Sequence, residues 1–280
     1  MANHVAVVTD STASIPDHLV RQWGVKVVQV QIVMDDRIDD ENRWDRGEIA
    51  GSLKAGKHVS TSPPDPGAFF WTYQDAVMEG AAAIVSLHLS ERLSKTVDSA
   101  REAAQGVRIP VYILDSRTTG MSLGYAVLSA ARAAQAGAGV DRTIQAAHDR
   151  FANSSELLFV DTLEYLRRGG RIGAASAMLG TAFSIKPLLT VASGEVKPLS
   201  RVPGQHRAMG KLLDLAIKKA GGRQVDLAVS SWFKGPRELK LVQELKTYVP
   251  RVRDIMVVEA STVIGAHVGP GALSITVAPV

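Results

Sequence analysis

Short apolar runs rich in β-branched residues recur in the first half of this 280-residue chain, at 5–8, 25–33, 82–88 and 111–115, with helix-like stretches between them. That alternation is the strongest constraint on what the chain can fold into. A strand that returns after an intervening helix pairs in parallel, so the pattern predicts an α/β fold with a mostly parallel first sheet covered on both faces. Local signals refine it. Pro16 opens a helix reaching Trp23, further helices start near Asp45, Pro66 and Leu93, and Ala-rich helices fill 118–151. The run 25–33 reads as one strand and the acidic stretch 34–44 as a loop.

The second half has a different texture. Strands are expected at 157–160, 184–191, 195–202, 225–230, 255–258 and 273–277, with Ser193-Gly194 turning one hairpin. Helices are expected at 162–168, ended by Gly169-Gly170, and at 174–183, 205–220 and 236–247. These describe a second α/β unit. Charge divides in the same place: residues 1–157 hold 15 basic and 19 acidic side chains, a balance of −4, and residues 158–280 hold 17 and 9, a balance of +8. Two α/β domains, 1–157 and 158–280, are therefore expected, with an anionic partner for the basic half.

Several function classes fall away. Without Cys there is no disulfide framework, thiolate metal site or Cys nucleophile. No apolar run approaches the roughly 18 to 20 residues of a spanning helix, and nothing signal-like precedes the first strand, so a soluble, cytoplasmic chain without stable membrane insertion is expected. No phosphate-cradling Gly-rich loop follows a strand, and the seven His include no pair at metal-helix spacing, so neither a nucleotide nor a metal is expected. Zinc-finger, basic-zipper and aromatic RNA-binding signatures are missing, so no nucleic acid is expected. Asp10 ends a strand where a phosphoaspartate enzyme keeps its nucleophile, but position 12 is Thr where that mechanism needs a second carboxylate.

What remains is a set of small polar residues at strand ends and Gly turns: residues 60–64, 88–96 and 264–271. Strand ends in open α/β sheets are where ligands lie, and helix N-termini offer N–H groups to anions. Together these segments describe a carboxylate-sized socket. Each also has a plainer reading, with Ser62 and Ser94 as helix caps and His267 as a core imidazole. A serine-type esterase or thioesterase using Ser94 and His267 is a further alternative, although no Gly-x-Ser-x-Gly elbow is present. A binding module for some other carboxylate or small apolar ligand also stays open.

One ordered set of motifs resembles the DegV family of bacterial fatty-acid-binding proteins. It comprises Val7-Val8-Thr9-Asp10-Ser11-Thr12-Ala13, Thr61-Ser62-Pro63, Leu93-Ser94-x-Thr96, residues 163–173, Ser184-Ile185-Lys186-Pro187-Leu188-Leu189, and His267-Val268-Gly269-Pro270-Gly271. The resemblance implies a two-domain protein holding one long-chain fatty acid, such as palmitate, stearate or oleate, in a tunnel at the domain junction. It implies a non-catalytic carrier with no cofactor, presenting the acyl carboxylate to the ATP-binding subunit of a fatty-acid kinase that forms acyl phosphate. Thr61 and Ser94 would hydrogen-bond the carboxylate, with Ser62 and His267 close by, and Arg171 and Arg201 would face the kinase. Phe159, Met178, Leu179, Phe183, Ile185 and Leu188 are expected to line the tunnel. At Lys95 the chain departs from the family's usual Gly: a Lys there either pairs with the head group or points to solvent, and solvent is the expectation.

Overall fold

Val5, Ala6, Val7 and Val8 are all buried, so the opening strand serves two helical layers at once. The computed structural model describes residues 4–180 and 184–280. β1 (Val5–Asp10) leads through a 3-10 turn to α1 (Asp17–Gln22), β2 (Lys26–Val28), β3 (Gln31–Met34) and β4 (Arg37–Asp40). Then come α2 (Arg46–Lys54), β5 (Val59–Ser62), α3 (Pro66–Met78), β6 (Ala83–His88), α4 (Thr96–Ala104), β7 (Val111–Asp115), α5 (Gly120–Gln135) and α6 (Val140–Asn153). The second half runs β8 (Ser155–Phe159), α7 (Glu164–Arg168), a 3-10 segment Gly173–Met178, β9 (Ile185–Ala192), β10 (Glu195–Pro203) and α8 (Gln205–Ala220). It closes with β11 (Val225–Ser231), α9 (Pro236–Tyr248), β12 (Val252–Glu259), α10 (Thr262–Val268) and β13 (Leu273–Pro279).

The first sheet has the order β2-β1-β6-β7, and every pair in it is parallel. Val5 and Val7 pack with Leu123, Ala126 and Val127 of α5, whereas Ala6 and Val8 pack with Phe69 and Tyr73 of α3. Successive strand residues face opposite sides, and both sides are covered, which is why the run is apolar without a break. The helices start where their caps stand: the Asp45 carboxylate accepts from the Glu48 N–H at 2.8 Å, and Asp65, just before Pro66, accepts from the Gly67 N–H at 2.7 Å.

The second sheet, β10-β9-β8-β13-β11-β12, is antiparallel throughout except for β11 beside β12. Ser193 and Gly194, with φ of 54° and 84°, make the two-residue turn between β9 and β10. Leu212 of α8 and Leu241 and Leu245 of α9 cover one face, meeting Leu157, Phe159 and Leu227. On the other face Ala228, Val258 and Ala278 pack against Met121, Tyr125 and Leu128 of α5. Helix α5 is thus sandwiched between the two sheets, and the Tyr125 hydroxyl donates to the Leu227 carbonyl at 2.6 Å.

Several expectations need correction. Residues 25–33 are two strands in two sheets, β2 in the first and β3 in a three-stranded antiparallel sheet of order β4-β3-β5. The change occurs at Val30, whose N–H donates to Ser11 Oγ (3.0 Å) and whose carbonyl accepts from the Glu41 N–H (3.0 Å), replacing a ladder with local partners. Apolar alternation survives because Val28, Val30 and Ile32 are buried on either side of the break. The acidic loop contains β4. The helix expected over 174–183 is only the 3-10 segment Gly173–Met178, and residues 181–183 lie outside the described residues. Strand β8 starts at Ser155, two residues ahead of the strand expected from 157. No helix among the described residues is long and apolar enough to cross a membrane.

Candidate functional site

Thr61, Ser94, Arg171 and His267 come from four separate segments, and all line one cavity. Its remaining wall is mostly apolar, including Leu89 and Leu93 from the first half and Leu158, Leu166, Val191 and Val196 from the second. About 590 Å³ of space unfilled by atoms lies in and around it, open solvent at its mouth included. The cavity lies between the strand ends of the first sheet and the inner face of the second, with its polar residues set in a mostly apolar wall.

Thr61 is on β5, paired across from the fully buried Ile32. Its Oγ1 lies 2.8 Å from His267 Nε2. His267 occupies the last turn of α10, whose N-cap Ser261 accepts from the Val263 N–H (3.2 Å) and is joined there by a group from elsewhere in the chain. The Ser261 hydroxyl donates to Glu41 Oε2 at 2.6 Å, and the Val263 N–H donates to the same oxygen at 3.0 Å. Glu41 is itself buried, and burial raises its pKa against the hydrogen bonds from Ser11, Ser261 and Val263 that lower it.

Burial, and secondarily the Arg171 guanidinium, bring the His267 pKa down to about 4. The imidazole is therefore neutral near pH 7, with one nitrogen donating and one accepting. Its Nδ1 is buried and has no hydrogen-bond partner among the described residues. Gly169 stands against it: a Cβ at that position would fall 2.2 Å from Nδ1. Gly169 therefore does more than stop α7, since only a residue without a side chain lets the backbone come this close.

Arg171 is anchored by its Nε to the Leu93 carbonyl (3.0 Å) and by Nη1 to the Gly169 carbonyl (2.7 Å). Those bonds hold a fixed positive charge at the cavity wall. Ser94 precedes α4; its Oγ accepts from the Thr96 N–H at 3.3 Å and lies 2.9 Å from Thr96 Oγ1. Ser94 thus makes a short hydroxyl turn onto Thr96 one residue ahead of the N-cap position, Lys95, and also lines the cavity. Hydroxyls, a neutral imidazole and a guanidinium in the wall of a mostly apolar cavity form a donor set suited to one carboxylate, which only accepts hydrogen bonds.

The Ser94–His267 pairing of a hydrolase is not formed. Among the described residues the ring's hydroxyl partner is Thr61, and no carboxylate orients Nδ1 as a triad requires. No group of described His, Asp or Glu side chains is arranged to hold a metal ion.

Other predicted residues lie elsewhere. Ser62 faces away from the cavity lining, because alternate strand residues point oppositely and Thr61 takes the inner side. Lys95 is exposed and does not line the cavity. Ile185 is half-buried on β9 outside the lining, and Phe183 lies outside the described residues. Arg171, expected to face a partner, is part of the cavity wall; Arg201 is exposed on β10 and donates to the Ala177 carbonyl. Phe159 and Leu188 belong to the α8 and α9 side of the second sheet, Met178 is buried in a neighbouring cluster, and Leu179 is exposed, so none of them lines the cavity. The inner face of β8 belongs instead to Leu158, one residue out of phase with the expectation. Thr12, which also lines the cavity, was not singled out; its Oγ1 and N–H both donate to Asp10 Oδ1, a turn that an Asp-x-Thr at a strand end signals.

Comparison with known proteins agrees along the whole length. The family model described as uncharacterised protein, DegV family, matches residues 4–280. A DegV domain-containing protein of Streptomyces coelicolor is 41% identical over 278 residues, covering 99% of each chain. A DegV-family protein of Thermus thermophilus, whose structure concerns fatty-acid binding, is 30% identical with a TM-score of 0.93, covering 99% of this chain and all (100%) of that one. DegV of Bacillus subtilis, described as a fatty-acid-binding protein, is 28% identical with a TM-score of 0.88, covering 99% of each.

Proposed function

The chain belongs to the DegV family, and from that premise we propose that it binds one long-chain fatty acid, with the carboxylate at Thr61, Ser94, His267 and Arg171. The observation that carries this reading is the cavity itself, whose mostly apolar wall carries Thr61 in contact with His267 and the Arg171 guanidinium nearby. Removing a C16 tail from water at about 0.8 kcal/mol per CH₂ releases roughly 11 kcal/mol gross, so affinity comes from the tail and the polar groups have only to fix orientation. The ligand sits between the two halves, 1–157 and 158–280, which act as two domains around it.

The reading extends to a role as carrier. The protein presents the carboxylate to a separate ATP-using kinase subunit, which makes acyl phosphate in the cytoplasm. Two observations support this: the sequence has no phosphate cradle, and the basic second half leaves Arg201 exposed. Arg171, bound to two backbone carbonyls beside His267, serves the ligand rather than the partner.

Mass spectrometry of an organic extract of the purified protein tests the first part. A fatty acid at close to one per chain is expected. Its repeated absence, with no binding of added palmitate or oleate, would sink the reading. Arg201→Ala tests the second part: it lowers acyl-phosphate formation with an added kinase subunit and leaves fatty-acid binding intact.

A further inference from the structure

Next to the cavity that holds Thr61 and His267 lies a second, smaller one, with about 460 Å³ of space unfilled by atoms when the open solvent at its mouth is included. The two share Thr119, Leu158, Ile264 and Val268. Their characters differ: the wall of the second includes Glu156, Ser230, Ser231, Trp232 and Ser274. Ser230 and Trp232 are only 5% and 2% exposed. Ser230 Oγ, Trp232 Nε1 and Thr119 Oγ1 are all buried, and none has a hydrogen-bond partner among the described residues.

Buried polar atoms without partners are rare, because each forfeits the hydration it had in water. Three of them along one cavity wall mark a place built for a polar group. Glu156 differs from them, since its carboxylate accepts from the Ser122 N–H (3.2 Å), Ser122 Oγ (2.9 Å) and Thr276 Oγ1 (2.7 Å). The indole of Trp232 is held in place: a Cβ on Gly265 would fall 2.4 Å from its Cδ2, so the ring lies directly against the backbone of α10. Its N–H is therefore a fixed donor.

We propose that this second cavity is a subsite for a hydroxyl carried on the acyl chain, so that the protein takes hydroxylated long-chain fatty acids as ligands. The inference rests on the fatty-acid reading above. With the carboxylate at Thr61 and Ser94, the chain passes Leu158, Ile264 and Val268, the wall common to both cavities. A hydroxyl both donates and accepts, matching one fixed N–H donor and two rotatable hydroxyls. A second carboxylate does not suit the site, because among the described residues no Lys or Arg lines this cavity and Glu156 does. A plain alkyl chain leaves all three atoms unpaired.

The test is a calorimetric titration of the lipid-stripped full chain with stearate, 10-hydroxystearate and 12-hydroxystearate. In a tunnel that is apolar throughout, a hydroxyl lowers affinity on the order of tenfold to a hundredfold. Here at least one hydroxystearate is expected to bind within about threefold of stearate or tighter. The double substitution Ser230→Ala with Trp232→Phe should weaken that ligand about tenfold or more while moving stearate less than about threefold. Retained stearate binding shows that the variant is folded; where it is lost, Ser230→Ala alone gives the same comparison. Stearate favoured tenfold or more over both hydroxystearates, or hydroxystearate affinity untouched by the substitutions, overturns the inference and leaves a cavity for water only. If neither stearate nor any hydroxystearate binds, the fatty-acid reading falls and takes this inference with it.

Discussion

His267 gives the sharpest test, because its neutral state is a property of the fold. Its pKa falls from 6.5 to about 4 through burial and the nearby Arg171 charge. Between those values the unfolded chain binds a proton that the folded chain refuses, so stability is lost as the pH drops below 6.5 and levels off below about 4. From the two pKa values the loss is about 2 kcal/mol by pH 5 and about 3 kcal/mol by pH 4. Glu41 and Glu156, whose pKa values burial raises, act with the opposite sign, so the wild-type curve alone does not isolate the histidine. His267→Gln does isolate it, keeping an amide donor for Thr61 Oγ1 and removing the titration. Urea unfolding of both lipid-stripped proteins, followed by the fluorescence of the buried Trp44 and Trp232, supplies the measurement. The variant should gain on the wild type by about 2 kcal/mol between pH 7 and pH 5. A difference that stays flat with pH would refute the claim that the fold holds this imidazole neutral.

Three further outcomes are expected. Thr61→Val and Ser94→Ala each remove a hydroxyl offered to a charged group and should weaken fatty-acid binding roughly 10- to 100-fold by calorimetry; unchanged affinity would show that the carboxylate lies elsewhere. Gly169→Ala sets a methyl where His267 Nδ1 already stands; about 1–3 kcal/mol of stability should go, together with binding, and a wild-type melting curve would contradict the contact. Glu41→Ala strips the Ser261 hydroxyl and the Val263 N–H of their shared acceptor, so α10 should lose protection in hydrogen exchange ahead of α5, with about 1–3 kcal/mol of stability lost.

The parallel first sheet was readable because its two central strands, β1 and β6, are buried on both faces and signal themselves without help from distant residues. The same local logic found the helix starts near Asp45 and Pro66 and the turn at Ser193-Gly194. Helix α10 escaped because it has seven residues and draws part of its cap from Glu41, 220 positions away. The socket residues Thr61, Ser94 and His267 stood out as polar groups at chain turns, yet nothing local tells Thr61 from Ser62: which of two neighbours faces inward is a matter of strand parity, set by the pairing with β3. The same ambiguity misassigned Phe159 for Leu158. Arg171 looks like any surface arginine until the fold carries it to Leu93, 78 residues earlier.

For the ligand proposed above, the position of α5 limits entry and exit. Swinging the sheets apart like a book would uncover Met121, Tyr125 and Leu128, now buried against Ala228, Val258 and Ala278. At roughly 1.5–3 kcal/mol for each large side chain, that opening costs about 5–9 kcal/mol, which leaves fewer than about one molecule in a thousand ajar at any instant. Cargo exchange is then a local event of side chains and short segments at the cavity rim, and its rate should respond to substitutions there while ignoring those along the spine that clamps the book shut.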